Sequence, residues 1–176
     1  ADVTVNEAGL PARGLESEGS GEQQAPGANG DPSESSTGTF TFASLDGFSS
    51  LMVGTTTITL AQLQNAGGSP ITVAGGPAYG TLQIIGFSGT AAGGTVSYRF
   101  TLTDNTLLHT NTTNDATFGD RGADDQVLVS YDIKVTDKDG SVGTGTLHVA
   151  VNDDGPTASN EVFGLTVNVF RKGRCA

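Results

Sequence analysis

The stretch Val135-Thr136-Asp137-Lys138-Asp139-Gly140-Ser141-Val142-Gly143-Thr144-Gly145-Thr146-Leu147-His148-Val149-Ala150-Val151-Asn152-Asp153-Asp154-Gly155-Pro156 decides the reading of this chain. It begins as a strand and passes through an acidic turn. A second strand follows, and an acidic exit ends at proline. In the turn, Asp137 and Asp139 lie two residues apart beside Gly140, which can take positive φ. The second strand alternates, with Leu147, Val149 and Val151 on one face and Thr146, His148 and Ala150 on the other. Asn152, Asp153 and Asp154 form the exit, and Pro156 cannot continue a ladder. In a sandwich, the turn and the exit fall at opposite ends of this last strand, which gives the domain an acidic group at each pole.

Two further segments carry the same period. Thr95–Thr103 places Val96, Tyr98, Phe100 and Leu102 on one face, and Val127–Val135 does the same with its odd-numbered positions. Gly38–Phe42 alternates and predicts a strand with both phenylalanines in the core. Leu45-Asp46-Gly47-Phe48 is an Asp-Gly turn. Strands are expected over Ala1–Glu7, Ser50–Val53, Thr56–Leu60, Ile71–Val73 and Thr81–Ile85, with a break at Gly75-Gly76-Pro77. Gly86–Gly94 reads as a flexible connection. The single helical candidate is Ala61–Ala66, about a turn and a half. Abundant glycine (26 residues) and frequent threonine agree with short strands and turns. The expected fold is all-β: an antiparallel Ig-like or cadherin-like β-sandwich with Greek-key-type connections.

The length of 176 residues suits one domain, or one and a fragment. The boundary is placed at residues 1–158, with 8–37 as a long loop poor in large apolar side chains. Residues 159–176 start a next repeat or are a vector-derived or frameshifted tail, since Arg171-Lys172-Gly173-Arg174-Cys175-Ala176 is unlike the rest. The net charge is −11, and the basic tail makes the remainder more acidic still. Such a body repels nucleic acid and anionic lipid, and its crowded carboxylates favour bound cations. The lone Cys175 excludes an intrachain disulfide. No signal peptide and no apolar run near 18 residues is present, so no membrane insertion is expected.

The ordered set of these motifs resembles a repeat domain of the large type-I-secreted RTX-type adhesins of Gram-negative bacteria. The elements that carry the resemblance are Val5-Asn6-Glu7-Ala8-Gly9-Leu10, Gly38-Thr39-Phe40, Asp46-Gly47-Phe48, Tyr98 to Asp104-Asn105, the Asp137–Ser141 turn, and Val149 to Asp153-Asp154-Gly155-Pro156-Thr157-Ala158. The resemblance implies a tandem, Ca²⁺-binding repeat on the extracellular surface. It would act as an extender between an anchor and a binding tip, in cell adhesion and biofilm formation. Its partners would be neighbouring repeats of the same polypeptide, with a host or surface ligand reached through other domains, and the repeat itself would be a monomer. Asp104 enters the ligand set through this resemblance.

Calcium chemistry can also be argued from the residues. Ca²⁺ takes six to eight oxygens from carboxylates, carbonyls and water. Asp137 and Asp139 can point the same way from one turn. Asn152, Asp153 and Asp154 offer oxygens at the exit, and Asn6 with Glu7 can reach one pole or the adjoining repeat. The expected metal ligands are therefore Glu7, Asp104, Asp137, Asp139, Asn152, Asp153 and Asp154. An EF-hand is excluded by spacing: counted from Asp137, Gly140 falls at position 4 and His148 at position 12. Gly119–Asp124 approaches the calcium β-roll repeat once only, and one copy cannot stack. Asp120, Asp124 and Asp125 remain a loop cluster that could ligate an ion.

An enzyme is not expected. His109 and His148 are the sole imidazoles, and no Gly-x-Ser-x-Gly elbow or paired-histidine metal motif is present. The alternative function is a glycan- or surface-recognising module of the same adhesin class, built on loops 8–37 and 104–126. Neither loop has Tyr or Trp to stack on a sugar, and Phe118 is their one aromatic residue.

Overall fold

The computed structural model describes residues 2–10, 32–104 and 126–152. The strands are β1 (Val3–Asn6), β2 (Ser35–Ala43), β3 (Phe48–Val53), β4 (Thr56–Ile58), β5 (Ile71–Thr72), β6 (Gly80–Thr90), β7 (Gly93–Leu102), β8 (Gln126–Asp137) and β9 (Val142–Asn152). A 3₁₀ turn covers Glu7–Gly9, and one short helix, α1, spans Leu60–Asn65. One sheet has the order β1-β9-β8-β3-β4 and the other β2-β7-β6-β5. The chain crosses between them after β1, β2, β4 and β7. This is an all-β sandwich, as the alternation predicted.

Period-2 patterning explains the core. Val96, Tyr98, Phe100 and Leu102 of β7 are buried, as are Leu147, Val149 and Val151 of β9. From the other strands come Val5, Leu51, Val53, Ile58, Leu82 and Ile84. Leu63 of α1 seals one side. Its helix starts on a capping box: Gln62 N–H donates to Thr59 Oγ1, and Gln62 Oε1 accepts from Thr59 N–H at 2.8 Å.

Five local expectations are revised. The pairing is antiparallel except at β1, which runs parallel to β9 from Val3↔Val149 to Asn6↔Asn152. Gly86–Gly94 is not a loose connection. It is a continuous hairpin in which Thr90 pairs with Gly93 around Ala91-Ala92. Gly93 there has φ +128, and the Phe87 ring covers the facing pair Gly89 and Gly94, where a Cβ on either would clash. Phe40 and Phe42 are half-buried at the core's rim, Phe42 being stacked on Phe87 at 5.9 Å. Leu60 starts α1 and does not end β4. Within the 8–37 loop, Leu10 is buried and β2 already begins at Ser35; residues 11–31 lie outside the described residues. So do residues 105–125, with His109, Asp120, Asp124 and Asp125, and residues 153–176, with Cys175 and the proposed boundary.

Tyr98 and Tyr131 are both buried, and neither hydroxyl has a hydrogen-bond partner among the described residues. Burial, reinforced by Tyr79, pushes the Tyr131 phenol up to about 12. An orphan hydroxyl carries its desolvation cost without a bond to offset it. Tyr131→Phe is therefore expected to leave stability unchanged or raise it by up to ~1 kcal/mol. Urea unfolding checks this, and a loss above that size would mean the hydroxyl is satisfied in solution.

Candidate metal centre

Two turns meet at one end of the sandwich. The β2–β3 connection carries Asp46 and Gly47, and Gly47 (φ +94) lets its N–H reach the Ser44 carbonyl at 3.0 Å. The β8–β9 connection is the Asp137–Gly140 turn, in which Gly140 (φ +91) places its N–H toward the Asp137 carbonyl at 3.3 Å. β3 pairs with β8, so Phe48 faces Asp137, and Lys138 N–H donates to the Gly47 carbonyl at 2.9 Å. This pairing joins turns separated by some ninety residues of sequence, roughly one sandwich's worth of chain.

Asp46, Asp137 and Asp139 each bring a carboxylate oxygen, and the three oxygens lie within 4.8 Å of one another. Among the described residues they are the one such group of metal-ligating side chains. Ser141 N–H donates to Oδ1 of Asp137 (2.8 Å) and of Asp139 (3.0 Å), which fixes both carboxylates on one side of the turn. Ser44 is buried, its Oγ has no hydrogen-bond partner among the described residues, and it lines a small cavity of about 230 Å³ together with Asp137 and Ser141. The donors are hard oxygens, the set that suits Ca²⁺.

The pair also interacts through a proton. A hydrogen bond with Asp139 raises the Asp137 carboxyl above the usual carboxylate range, and the same bond lowers Asp139. Asp139 is exposed and Asp137 half-buried. Asp139, depressed, adds stability above the ordinary carboxylate pKa that is lost as pH falls through its own value. Asp137, raised, does the opposite: its contribution is present in acid and is lost as pH rises through its elevated value. Asp139→Asn removes the main cause of the Asp137 shift, so the Asp137 carboxyl should fall back toward 3.8. A ¹³C carboxyl titration by NMR checks this; an unmoved Asp137 would contradict the pairing.

The other expected ligands separate into two groups. Glu7 is 2% exposed at the start of the 3₁₀ turn, and its charge adds to burial in raising the Tyr79 phenol. Asp104 is half-buried, and its N–H donates to the Tyr79 carbonyl at 3.2 Å. Asn152 spends its side chain on neighbours: Nδ2 donates to Asn6 Oδ1 (2.7 Å) and Oδ1 accepts from Gln126 Nε2 (2.8 Å). These residues form the pole opposite the Asp137 turn, at the far end of β9. Glu7 and Asp104 do not assemble with a third carboxylate there among the described residues. Asp153 and Asp154 lie outside those residues.

Sequence reasoning passed over two residues. Asp46 looked like a turn former only, although its Asp-Gly signal was visible. Glu34, at the opposite pole, has a buried Oε2 without a hydrogen-bond partner among the described residues, and nothing in its Ser-rich context marks it. Comparison with known protein families, curated proteins and solved structures finds no match for this chain.

Proposed function

We propose that this chain is a calcium-stabilised extender repeat of a secreted bacterial surface adhesin, with a mechanical role and no catalytic one. The observation that carries the reading is the convergence of Asp46, Asp137 and Asp139 from two turns. An ion held there would tie the β2–β3 turn to the β8–β9 turn and offset the repulsion of their carboxylates. Ser44 Oγ lines the same cavity as Asp137 and would be a further oxygen for such an ion. The net charge of −11 makes a divalent cation the expected partner of such a body. The pole formed by Asn6, Glu7, Asp104 and Asn152 would adjoin a neighbouring repeat, and ions shared across that junction would set the angle between repeats.

Calorimetric titration of Ca²⁺ into chelator-treated protein tests the reading. Saturable binding that Asp139→Asn weakens at least about tenfold is expected, since a lost carboxylate ligand removes both charge and an oxygen. Binding should also weaken as pH falls, because a proton bridging Asp137 and Asp139 competes with the ion. No heat of binding at millimolar Ca²⁺ would remove the extender reading's physical basis.

A further inference from the structure

The two sheets leave a groove on one side of the sandwich. Its walls are Phe40–Ala43 of β2 and Gly143–Thr146 of β9, and Ile133 and Val135 form its floor. Its volume is about 350 Å³. The cause is in the sequence of β9. Leu147, Val149 and Val151 point inward, so Gly145 and Gly143 occupy the next two inward positions. A Cβ built at either glycine meets no atom within 4 Å. The apolar residues around this space, Phe40, Phe42, Ile133 and Val135, are only partly buried.

Among the described residues both walls are strand edges. β2 ends its sheet, and β1 covers only Val149–Asn152 of β9. The β1 line stops where Asp2 N–H donates to the His148 carbonyl (2.9 Å) and Asp2 Oδ2 accepts from His148 N–H (2.7 Å). By the alternation of the ladder, Thr146 and Thr144 turn their N–H and C=O groups to this same side. No described strand meets them there.

We propose that this groove binds an extended segment of another polypeptide, with alternate apolar side chains and a basic end, that adds antiparallel to β9 as a strand. Such a strand would continue the line of β1 along the same edge and hydrogen-bond Thr144 and Thr146. Its inward side chains would fill the space left by Gly143 and Gly145 against Phe40 and Phe42. Its carboxy-terminal end would arrive beside Asp137, because Ala43, Val135 and Gly143 line both this groove and the cavity that Asp137 lines. Three carboxylates opposite one divalent ion still leave a negative charge for a lysine or arginine to meet. A second copy of this chain fits poorly: its own β9 edge presents the same two glycines, and each copy carries a net charge of −11.

The probe is a fluorescent peptide alternating threonine and valine and ending in two lysines, titrated onto the full chain and read by anisotropy. Gly145→Leu fills the groove from within, where there is room for it. We expect saturable binding that Gly145→Leu weakens at least about tenfold, with an unfolding midpoint no lower than the parent's. Bound peptide should also slow hydrogen exchange at the Thr144 and Thr146 amides. Equal binding by Gly145→Leu, no binding up to millimolar peptide, or unprotected amides would overturn the proposal. So would a concentration-dependent dimer that Gly145→Leu abolishes, which would assign the groove to a second copy. Calcium binding is not required for any of these results, so they stand or fall apart from the extender reading.

Discussion

Phe100→Ala should cost ~3–5 kcal/mol of folding stability, the range for deleting a fully buried aromatic ring. Phe100 is 0% exposed in β7, a central strand flanked by β2 and β6. Its cross-strand partners are Ser36 on one side and Leu82 on the other. The ring also fills the place where Gly80 has no side chain: a Cβ on Gly80 would lie 2.2 Å from Phe100 Cζ. Backbone on that side is held by the β6–β7 ladder, so the cavity cannot readily collapse. Against a total of about 5–15 kcal/mol for an ordinary domain, this single truncation consumes a large share. Gly80→Ala should be destabilising for the complementary reason, since the added methyl overlaps the same ring. Leu45→Ala is the control: Leu45 is 94% exposed and should change stability by less than about 0.5 kcal/mol. Urea denaturation of the three variants checks the set. A Phe100→Ala loss below about 1.5 kcal/mol would mean that β7 is not the centre of the core.

The second large effect concerns the acidic trio. If Ca²⁺ occupies it, saturation at a hundred times Kd stabilises the fold by ~2.7 kcal/mol, through binding to the folded state alone. In the unfolded chain Asp46 and Asp137 are far apart in sequence, so the site does not exist there. Asp46→Asn keeps the shape of the turn and removes one of the charges. It should abolish most of the calcium-dependent gain while changing stability in chelator little, since Asp46 is exposed. The same logic separates this residue from Glu7 at the opposite pole. Glu7 is buried, so Glu7→Gln is expected to lower stability with and without calcium. Equal calcium responses in the parent and Asp46→Asn would show that the convergence of the two turns has no ligand role.

Much of the fold was legible because one rule governs it. Wherever a strand alternated over many residues, as in β7, β8 and β9, the inward face followed from period 2, although Ala150, on the other face of β9, is buried as well. Legibility failed where glycine replaced side chains. At Gly86–Gly94 the sequence offered no alternation to read, yet Phe87 covers the paired glycines and the hairpin closes. It failed again for β1, since its parallel match with β9 depends on the first and last described strands meeting at one edge. The candidate site divided in the same way. Asp137 and Asp139 were legible as local neighbours on one turn. Asp46 was not, because only the β3–β8 register brings its turn to theirs. Asn152 carries oxygen like the aspartates, but its amide is absorbed by Asn6 and Gln126, a use that no spacing announces.

The measurement that tests the calcium-stabilised reading most directly is the thermal unfolding midpoint in EDTA, in millimolar Ca²⁺ and in millimolar Mg²⁺. A gain of ~2.7 kcal/mol corresponds to an upward shift of roughly 5–11 °C for a chain of this size. The account predicts that shift with Ca²⁺ and a much smaller one with Mg²⁺, whose small octahedral shell fits exposed turn carboxylates less well. Superimposable curves in EDTA and Ca²⁺ would contradict it, and would leave Asp46, Asp137 and Asp139 as solvated turn residues of a calcium-independent sandwich.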